Sequence, residues 1–279
     1  MEEDGRSAPQ KRDTADLPNA LEQLDEIARS LQGREPAVFL DYDGTLTPIV
    51  RRPEDAVLSE EMRHTVRRLA EHCTVALISG RDLDDVRGLV GLAGVFYAGS
   101  HGFDIAGPQG DSLENRKGNE FLPVLDRAQH MLQGQLAEIP GARLERKRFS
   151  IAVHYREVEE ARVKEVEQAV DRVAGRFSGL RRSGGKKIFE LQPGIDWDKG
   201  KAVLWLLDAL EIDGAAALPL YIGDDITDED AFRALQGRGI GIVVEEGSKE
   251  TAAQYVLQNP AEVQAFLQQL TTVLKKDRA

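Results

Sequence analysis

The chain has 279 residues, 41% hydrophobic and 30% charged, the make-up of a soluble globular protein with room for one large core or two modest ones. A formal net charge of -12 argues against a nucleic-acid surface, because phosphate backbones call for basic patches. Cys73 is the single cysteine, which excludes a disulfide framework or a cysteine-built metal site; no apolar run reaches membrane-spanning length, and Met1 to Asp16 is too polar for a secretory signal. A cytoplasmic protein with neither membrane nor nucleic-acid partner is expected, and a monomer.

In chain order, residues 1–17 mix charge with Gly, Ser and Pro without a period and read as a disordered tail. Leu21, Leu24, Ile27 and Leu31 then recur at helical spacing, with Asn19 as N-cap and Gly33 as stop. Val38-Phe39-Leu40 reads as a buried strand that delivers Asp41-Tyr42-Asp43 into a turn marked by Gly44. Residues two apart on a strand share a side, so Asp41 and Asp43 would face one pocket if the extension persists through Tyr42. If it breaks there, Asp43 would still offer its backbone carbonyl. Two such carboxylates repel each other, and a hard divalent cation such as Mg2+ relieves that repulsion. A proline-marked loop over Thr47–Pro53 and a helix opened by Ser59 on Met62, Val66 and Leu69 follow. A second strand, Thr74–Ile78, ends at Ser79-Gly80-Arg81, and a third, Gly94–Gly99, ends at Ser100-His101-Gly102. Strand alternating with helix predicts a parallel α/β sheet, in which ligands bind at the carboxyl ends of the strands.

From about Asp104 to Gln192 the texture changes. Helical spacing over Asn119–Leu136 and Val158–Val173 frames a half-buried strand in which Phe149, Ile151, Val153 and Tyr155 alternate with polar residues. Lys187–Leu191 is another short strand. The α/β texture then returns, with a helix on Val203, Leu206, Leu207 and Leu210. Next come a strand Pro219–Ile222 ending in Gly223-Asp224-Asp225, a helix from Glu229, a strand Gly239–Val244 and a C-terminal helix around Val263, Phe266 and Leu270. The reading is an α/β fold with a parallel-sheet core formed by 18–105 and 193–279. A second, α+β domain at 106–192 is inserted into it.

Asp41/Asp43, Ser79, Lys199 and Asp224/Asp225/Asp228 sit at the ends of four predicted elements, and together they suit phosphoryl transfer. Asp41 supplies an oxygen nucleophile able to form an aspartyl phosphate. Asp43 can protonate the leaving alkoxide and deprotonate the incoming water, and Ser79 and Lys199 can hold phosphate oxygens. The candidate metal set for Mg2+ is Asp41, Asp43, Asp224, Asp225 and Asp228, with Asp224 the favoured ligand; among the last three, one carboxylate orients another and one caps the following helix. Arg81 and His101 are candidate substrate contacts. Arg81 serves equally as a partner for a carboxylate or a turn, and His101 as a loop-shaping residue. His154 reads as a structural strand histidine.

Asp41–Pro48, Ile78–Arg81, Gly99–Gly102, Ala152–Arg156 and Gly223–Asp230, in that order, resemble the haloacid dehalogenase superfamily and, within it, the trehalose-6-phosphate phosphatases. The resemblance covers about Pro36 to Leu270. It implies Mg2+-dependent hydrolysis of trehalose 6-phosphate to trehalose and phosphate. It also implies that the parallel-sheet core is Rossmannoid and that the insert is a cap that reads the sugar, with substrate docking between cap and core. The matching cap positions are Glu145, Lys147, Arg156, Lys186 and Glu190. Glu145 and Lys147 differ in parity from Arg156, so a hairpin turn near Arg148-Phe149 is expected to reset the faces. Other readings are a phosphatase of sucrose 6-phosphate or a glucosylglycerate phosphate, and a catalytically silent, sugar-phosphate-sensing regulatory partner. Such a silent partner would be expected to have lost a nucleophile or metal carboxylate. A calcium loop fails on spacing, because Leu46 and Arg52 stand where its glycine and bidentate glutamate belong.

Overall fold

The computed structural model describes residues 12–108, 116–185, 187–212 and 216–277. The chain divides into two compact units, Met1–Leu113 with Asp198–Ala279, and Glu114–Trp197. No described helix is long and apolar enough to cross a membrane.

In the first unit the chain runs through β1 (Arg12–Asp13), α1 (Leu24–Leu31), β2 (Glu35–Leu40), α2 (Glu60–Ala70), β3 (Thr74–Ile78), α3 (Leu83–Val90), β4 (Phe96–Gly99) and β5 (Asp104–Ala106). In the second it forms α4 (Leu122–Leu136), β6 (Arg143–Lys147), β7 (Ser150–His154), α5 (Val163–Arg176), β8 (Leu180–Gly185) and β9 (Ile188–Pro193). It then returns to the first unit with α6 (Lys199–Ala209), β10 (Ala217–Gly223), α7 (Glu229–Ala234), β11 (Ile240–Val244), β12 (Glu250–Thr251), β13 (Tyr255–Leu257) and α8 (Pro260–Asp277).

Seven strands of the first unit form one sheet in the order β13-β11-β10-β2-β3-β4-β5, parallel except for the antiparallel edge strand β5. The strands are apolar on both sides because both faces are covered. Val38, Leu40, Val75, Leu77, Leu220 and Ile222 pack in one core with α1, α2, α3 and α8. Phe39, Ala76, Ile78, Tyr221 and Val243 pack in another with α6 and α7. The connections run outward to one edge from β2 through β3 and β4, and to the other from β10 through β11 and β13. β2 and β10 therefore flank the point where the strand order reverses, where such sheets open a binding crevice. Register pairs Leu40 with Leu77 on one side and Ile222 on the other, which brings the three strand ends level.

In the second unit, β6-β7-β9-β8 form an antiparallel sheet. Leu144, Ile151, Val153, Phe189 and Leu191 point to one face and bury it against α4 and α5. Arg148-Phe149 is the two-residue turn between β6 and β7, so the expected hairpin forms. Glu145 pairs with Ala152, and Ala152 with Glu190. Glu145, Lys147, Ser150, His154 and Glu190 consequently share the face turned away from the helices.

Three expectations are corrected. The predicted disordered tail spans 1–17, yet Arg12–Asp13 pairs antiparallel with Glu250–Thr251, Thr14 is buried in a short 3-10 turn, and Leu17 joins the core. A two-residue strand has no readable period, and its partner lies far along the chain. Residues 1–11 lie outside the described residues. Second, the helix expected from Asn19 starts at Leu24, because the Asn19 side chain instead accepts from the backbone N–H of Leu21 in a preceding turn. Third, the predicted insert, 106–192, begins earlier and ends earlier than the second compact unit. Pairing of β5 with β4 keeps Asp104–Ala106 in the main sheet, while buried Trp197 and its carbonyl, which accepts from Arg181, belong with the second unit.

Candidate functional site

The strand ends level at the switch point carry Asp41 after β2, Ser79 after β3 and Asp224 after β10. Asp41 is buried, its N–H donating to Ile222 O at 2.9 Å. Lys199 opens α6, where Asp198 caps the helix by accepting from Lys201 N–H. A lysine at a helix N-terminus is disfavoured by the dipole, and Lys199 is offset by two carboxylates. Its Nζ donates to Asp41 Oδ1 and to Asp228 Oδ1, both at 2.7 Å. Tyr221 OH donates to the same Asp228 oxygen at 2.6 Å, and Asp225 N–H to Asp228 Oδ2 at 2.9 Å. All of this fits because Gly200 lets α6 approach α7: a Cβ there would lie 2.3 Å from Asp230 O.

The electrostatics follow from burial. Loss of water pushes the Asp41 carboxyl well above the usual range; Lys199 pulls it back, while Asp228 and Asp224 add to the rise. Burial alone would lower Lys199, but the fields of Asp228 and Asp41 win and raise it. Asp224 is pushed up to about 7, by burial first and then by Asp228. Oxygens of Asp41, Asp224 and Asp228 lie within 4.8 Å of one another. Three carboxylates facing one ammonium leave a surplus of negative charge that a divalent cation would neutralise, and the all-oxygen donor set suits a hard ion. Of the three, Asp228 is engaged at both oxygens by Lys199, Tyr221 and Asp225, which leaves Asp41 and Asp224 as the carboxylates best placed to ligate.

Asp43 does not share Asp41's contacts. The strand ends at Leu40, and Arg81 takes the Asp43 carboxylate with a two-pronged grip, Nε to Oδ2 and Nη2 to Oδ1, each 2.7 Å. Arg81 also donates to Asp85 at 2.9 Å and to Pro53 O at 2.7 Å, and its guanidinium lies 5.4 Å from the Tyr42 ring centroid. Of the three roles open to Arg81 from sequence, substrate contact, carboxylate partner or turn cap, partner of a carboxylate is the one it fills in this geometry. Ser79 is buried; its Oγ accepts from Arg81 N–H and its carbonyl from His101 N–H. Ser100 and His101 both have positive φ, 49° and 58°, so this turn is strained and His101 shapes it. Asp225 is exposed, with its carboxylate accepting from Ile226 N–H. Asp228 occupies the N-cap position of α7 but makes no capping bond there, since its oxygens are spent on Lys199, Tyr221 and Asp225.

In the second unit, His154 Nε2 meets Glu145 Oε2 at 2.7 Å, a hydrogen bond that holds Glu145 below the ordinary carboxylate range. Ser150 Oγ donates to Glu190 Oε1 at 2.6 Å, with Lys147 Nζ at 3.8 Å from the same oxygen. Arg156 is exposed in the turn after β7, and Lys186 lies outside the described residues. Sequence reasoning missed Tyr221, Ser150 and Thr45, whose Oγ1 donates to Asp224 Oδ1 at 3.4 Å. It also missed Lys249, whose Nζ donates to the backbone carbonyl of Asp224. Of these, Tyr221 carried a signal, as the one polar-tipped residue inside an otherwise apolar strand.

A family model described as trehalose-phosphatase matches residues 39–261, most of the chain. The chain belongs to the trehalose-phosphatase family. It is 45% identical over 269 residues to the trehalose-phosphate phosphatase of Mycobacterium tuberculosis, covering 95% of this chain and 68% of that one. Among solved structures, a trehalose-6-phosphate phosphatase related protein is 25% identical with a TM-score of 0.75, covering 86% of this chain and 99% of that one. A haloacid dehalogenase-like hydrolase from Bacteroides thetaiotaomicron, 17% identical with a TM-score of 0.60 over 85% of this chain and 99% of that one, shares the fold. The core thus has the same fold as that hydrolase.

Gly44 tests the site's tolerance. It sits at φ +84°, and a Cβ there would come within 2.1 Å of Asp224 Oδ2. Gly44→Ala is expected to displace the Asp224 carboxylate and to cost about 1–2 kcal/mol from backbone strain alone. Chemical denaturation and turnover assays should show a modest stability loss beside a far larger loss of activity.

Proposed function

We propose that this protein hydrolyses trehalose 6-phosphate to trehalose and phosphate through an aspartyl-phosphate intermediate on Asp41. The observation that carries the reading is the buried Asp41 carboxylate, tied at Oδ1 to Lys199 and set beside Asp224 at the end of the central strand of a trehalose-phosphatase-family chain. Lys199 restrains Asp41 in its charged form against the pull of burial and leaves Oδ2 for the phosphorus. In the first half-reaction Asp41 attacks phosphorus, and the sugar oxygen departs with a proton from Asp43. In the second, water gives a proton to Asp43 and attacks the acyl phosphate, which releases phosphate and restores Asp41. The Arg81 grip presents Asp43 in a single orientation for both proton transfers. Ser79 and Lys199 are the donors proposed for phosphate oxygens.

Asp41 and Asp224, with the backbone carbonyl of Asp43, are the groups proposed to hold Mg2+. When bound, the ion supplies positive charge to the phosphate oxygens as negative charge builds on them. Asp228 is proposed to act behind them, orienting Lys199. The sugar-reading residues are proposed to be Glu145, Lys147 and Glu190 on the polar side of the second unit's sheet, Arg156 in the turn after β7, and Lys186. Carboxylates there accept from sugar hydroxyls, and cationic side chains donate. Neither a nucleophile nor a metal carboxylate is missing, which favours an enzyme over a silent sensor.

Asp41→Asn should abolish phosphate release while leaving the circular dichroism spectrum at 25 °C close to wild type. On a panel of sugar phosphates, trehalose 6-phosphate should give the highest kcat/KM, and EDTA should remove activity; a higher value for sucrose 6-phosphate would overturn the substrate assignment. A cation binds Asp224 in its deprotonated form, so the Mg2+ concentration for half-maximal activity should rise as pH falls below about 7 and level off above it. A Mg2+ titration at several pH values checks this.

A further inference from the structure

Lys249 lies in the loop between β11 and β12. Its Nζ donates to the backbone carbonyl of Asp224, and Glu245 Oε2 lies 3.2 Å from the same nitrogen. The loop that carries it is held from two sides. On one side is the segment Arg12–Leu17: Thr14 N–H donates to Lys249 O at 2.9 Å, and Thr14 Oγ1 accepts from Lys249 N–H at 3.0 Å while donating to Gly247 O at 2.7 Å. Ser248 Oγ adds a bond to Asp13 Oδ2 at 2.7 Å, and β1 pairs with β12. On the other side, buried Glu229, the residue after Asp228, accepts from Thr251 Oγ1 at 2.7 Å and Ala252 N–H at 2.8 Å.

Both backbone groups of Lys249 are therefore fixed by Thr14, and its side chain ends on the main chain of the residue whose carboxylate faces Asp41. We infer that Lys249 is a positioning residue for Asp224, and that the N-terminal segment Arg12–Leu17 is a strap that holds Lys249 in place. A lysine this close to a proposed cation site would ordinarily repel the ion. Glu245 cancels most of that charge locally, so orientation of the Gly223-Asp224 turn is the larger effect. Groups that orient a metal ligand affect affinity by about 10–100-fold, and Lys249 acts on the ligand's backbone rather than on its carboxylate, which places it at the low end. Through the strap, the N-terminal segment supports the catalytic half of the molecule from more than 230 residues away in sequence.

The inference rests on the cation reading above, and one experiment separates the two. The melting temperature of the full chain is measured against Mg2+ concentration without substrate for wild type, Lys249→Met, Lys249→Arg and Thr14→Val, with kcat and KM at saturating Mg2+ alongside. Lys249→Met should need about tenfold more Mg2+ for its half-maximal shift and should lose kcat with KM little changed, while melting near wild type in EDTA. Lys249→Arg, which keeps a donor, should recover much of the affinity, and Thr14→Val should shift it in the same direction by less. A wild type indifferent to Mg2+ overturns the cation reading and this inference with it. A responsive wild type matched by an equally responsive Lys249→Met overturns the inference alone, as does a Lys249→Met that binds Mg2+ more tightly.

Discussion

One buried ammonium organises the catalytic half of the molecule. Lys199 is 3% exposed, and its two carboxylate partners, Asp41 and Asp228, are 7% and 0% exposed at their side chains. Taking three charges out of water is expensive, and removing one partner from such an arrangement costs about 3–5 kcal/mol. The surroundings answer that cost group by group. Tyr221 and the Asp225 N–H satisfy Asp228, Asp198 caps the helix that starts at Lys199, and Gly200 lets that helix lie close to α7. None of these residues needs to touch a substrate, yet each one sets where Asp41 can be.

The two aspartates of the Asp41-Tyr42-Asp43 run are separated by the same logic. Burial is severe at Asp41, so it takes the buried lysine. Asp43 lies at the rim, where Arg81 grips both of its oxygens and is itself anchored by Asp85 and Pro53 O. A nucleophile must be held charged in a dry place, whereas a proton carrier must reach both a leaving oxygen and water. Two different cationic partners, the point-like Lys199 on a buried carboxylate and the forked Arg81 on a partly exposed one, suit the two roles proposed for them.

Much of this was legible in the chain itself. Apolar runs of strand length closed by Gly- and Asp-bearing turns located β2, β3, β4 and β10 and put Asp41, Ser79 and Asp224 at their ends. The parity mismatch between Glu145, Lys147 and Arg156 called for a turn near Arg148-Phe149, and β6 and β7 form that hairpin, while register with β9 puts Glu190 on the same face as Glu145 and Lys147. What escaped were roles decided by convergence in space. Asp228, directly before a helix start, has the spacing of a cap, and only the arrival of Lys199 and Tyr221 makes it the orienting carboxylate. Arg81 looked equally suited to a substrate or a carboxylate because Asp43 is 38 residues away in sequence. The strap at Arg12–Leu17 has too few residues to show a period, so composition alone spoke for it, and composition reported only polarity.

Everything in the proposed chemistry turns on transfer of phosphorus to Asp41 itself. The most direct test is acid quenching of the Asp43→Asn variant during turnover of substrate carrying a radiolabelled phosphate, since loss of the proton carrier should slow breakdown of the intermediate. Label is expected on the peptide containing Asp41, released by hydroxylamine as an acyl phosphate would be. Label on any other residue, or steady release of phosphate with the protein never labelled, would contradict an Asp41 nucleophile.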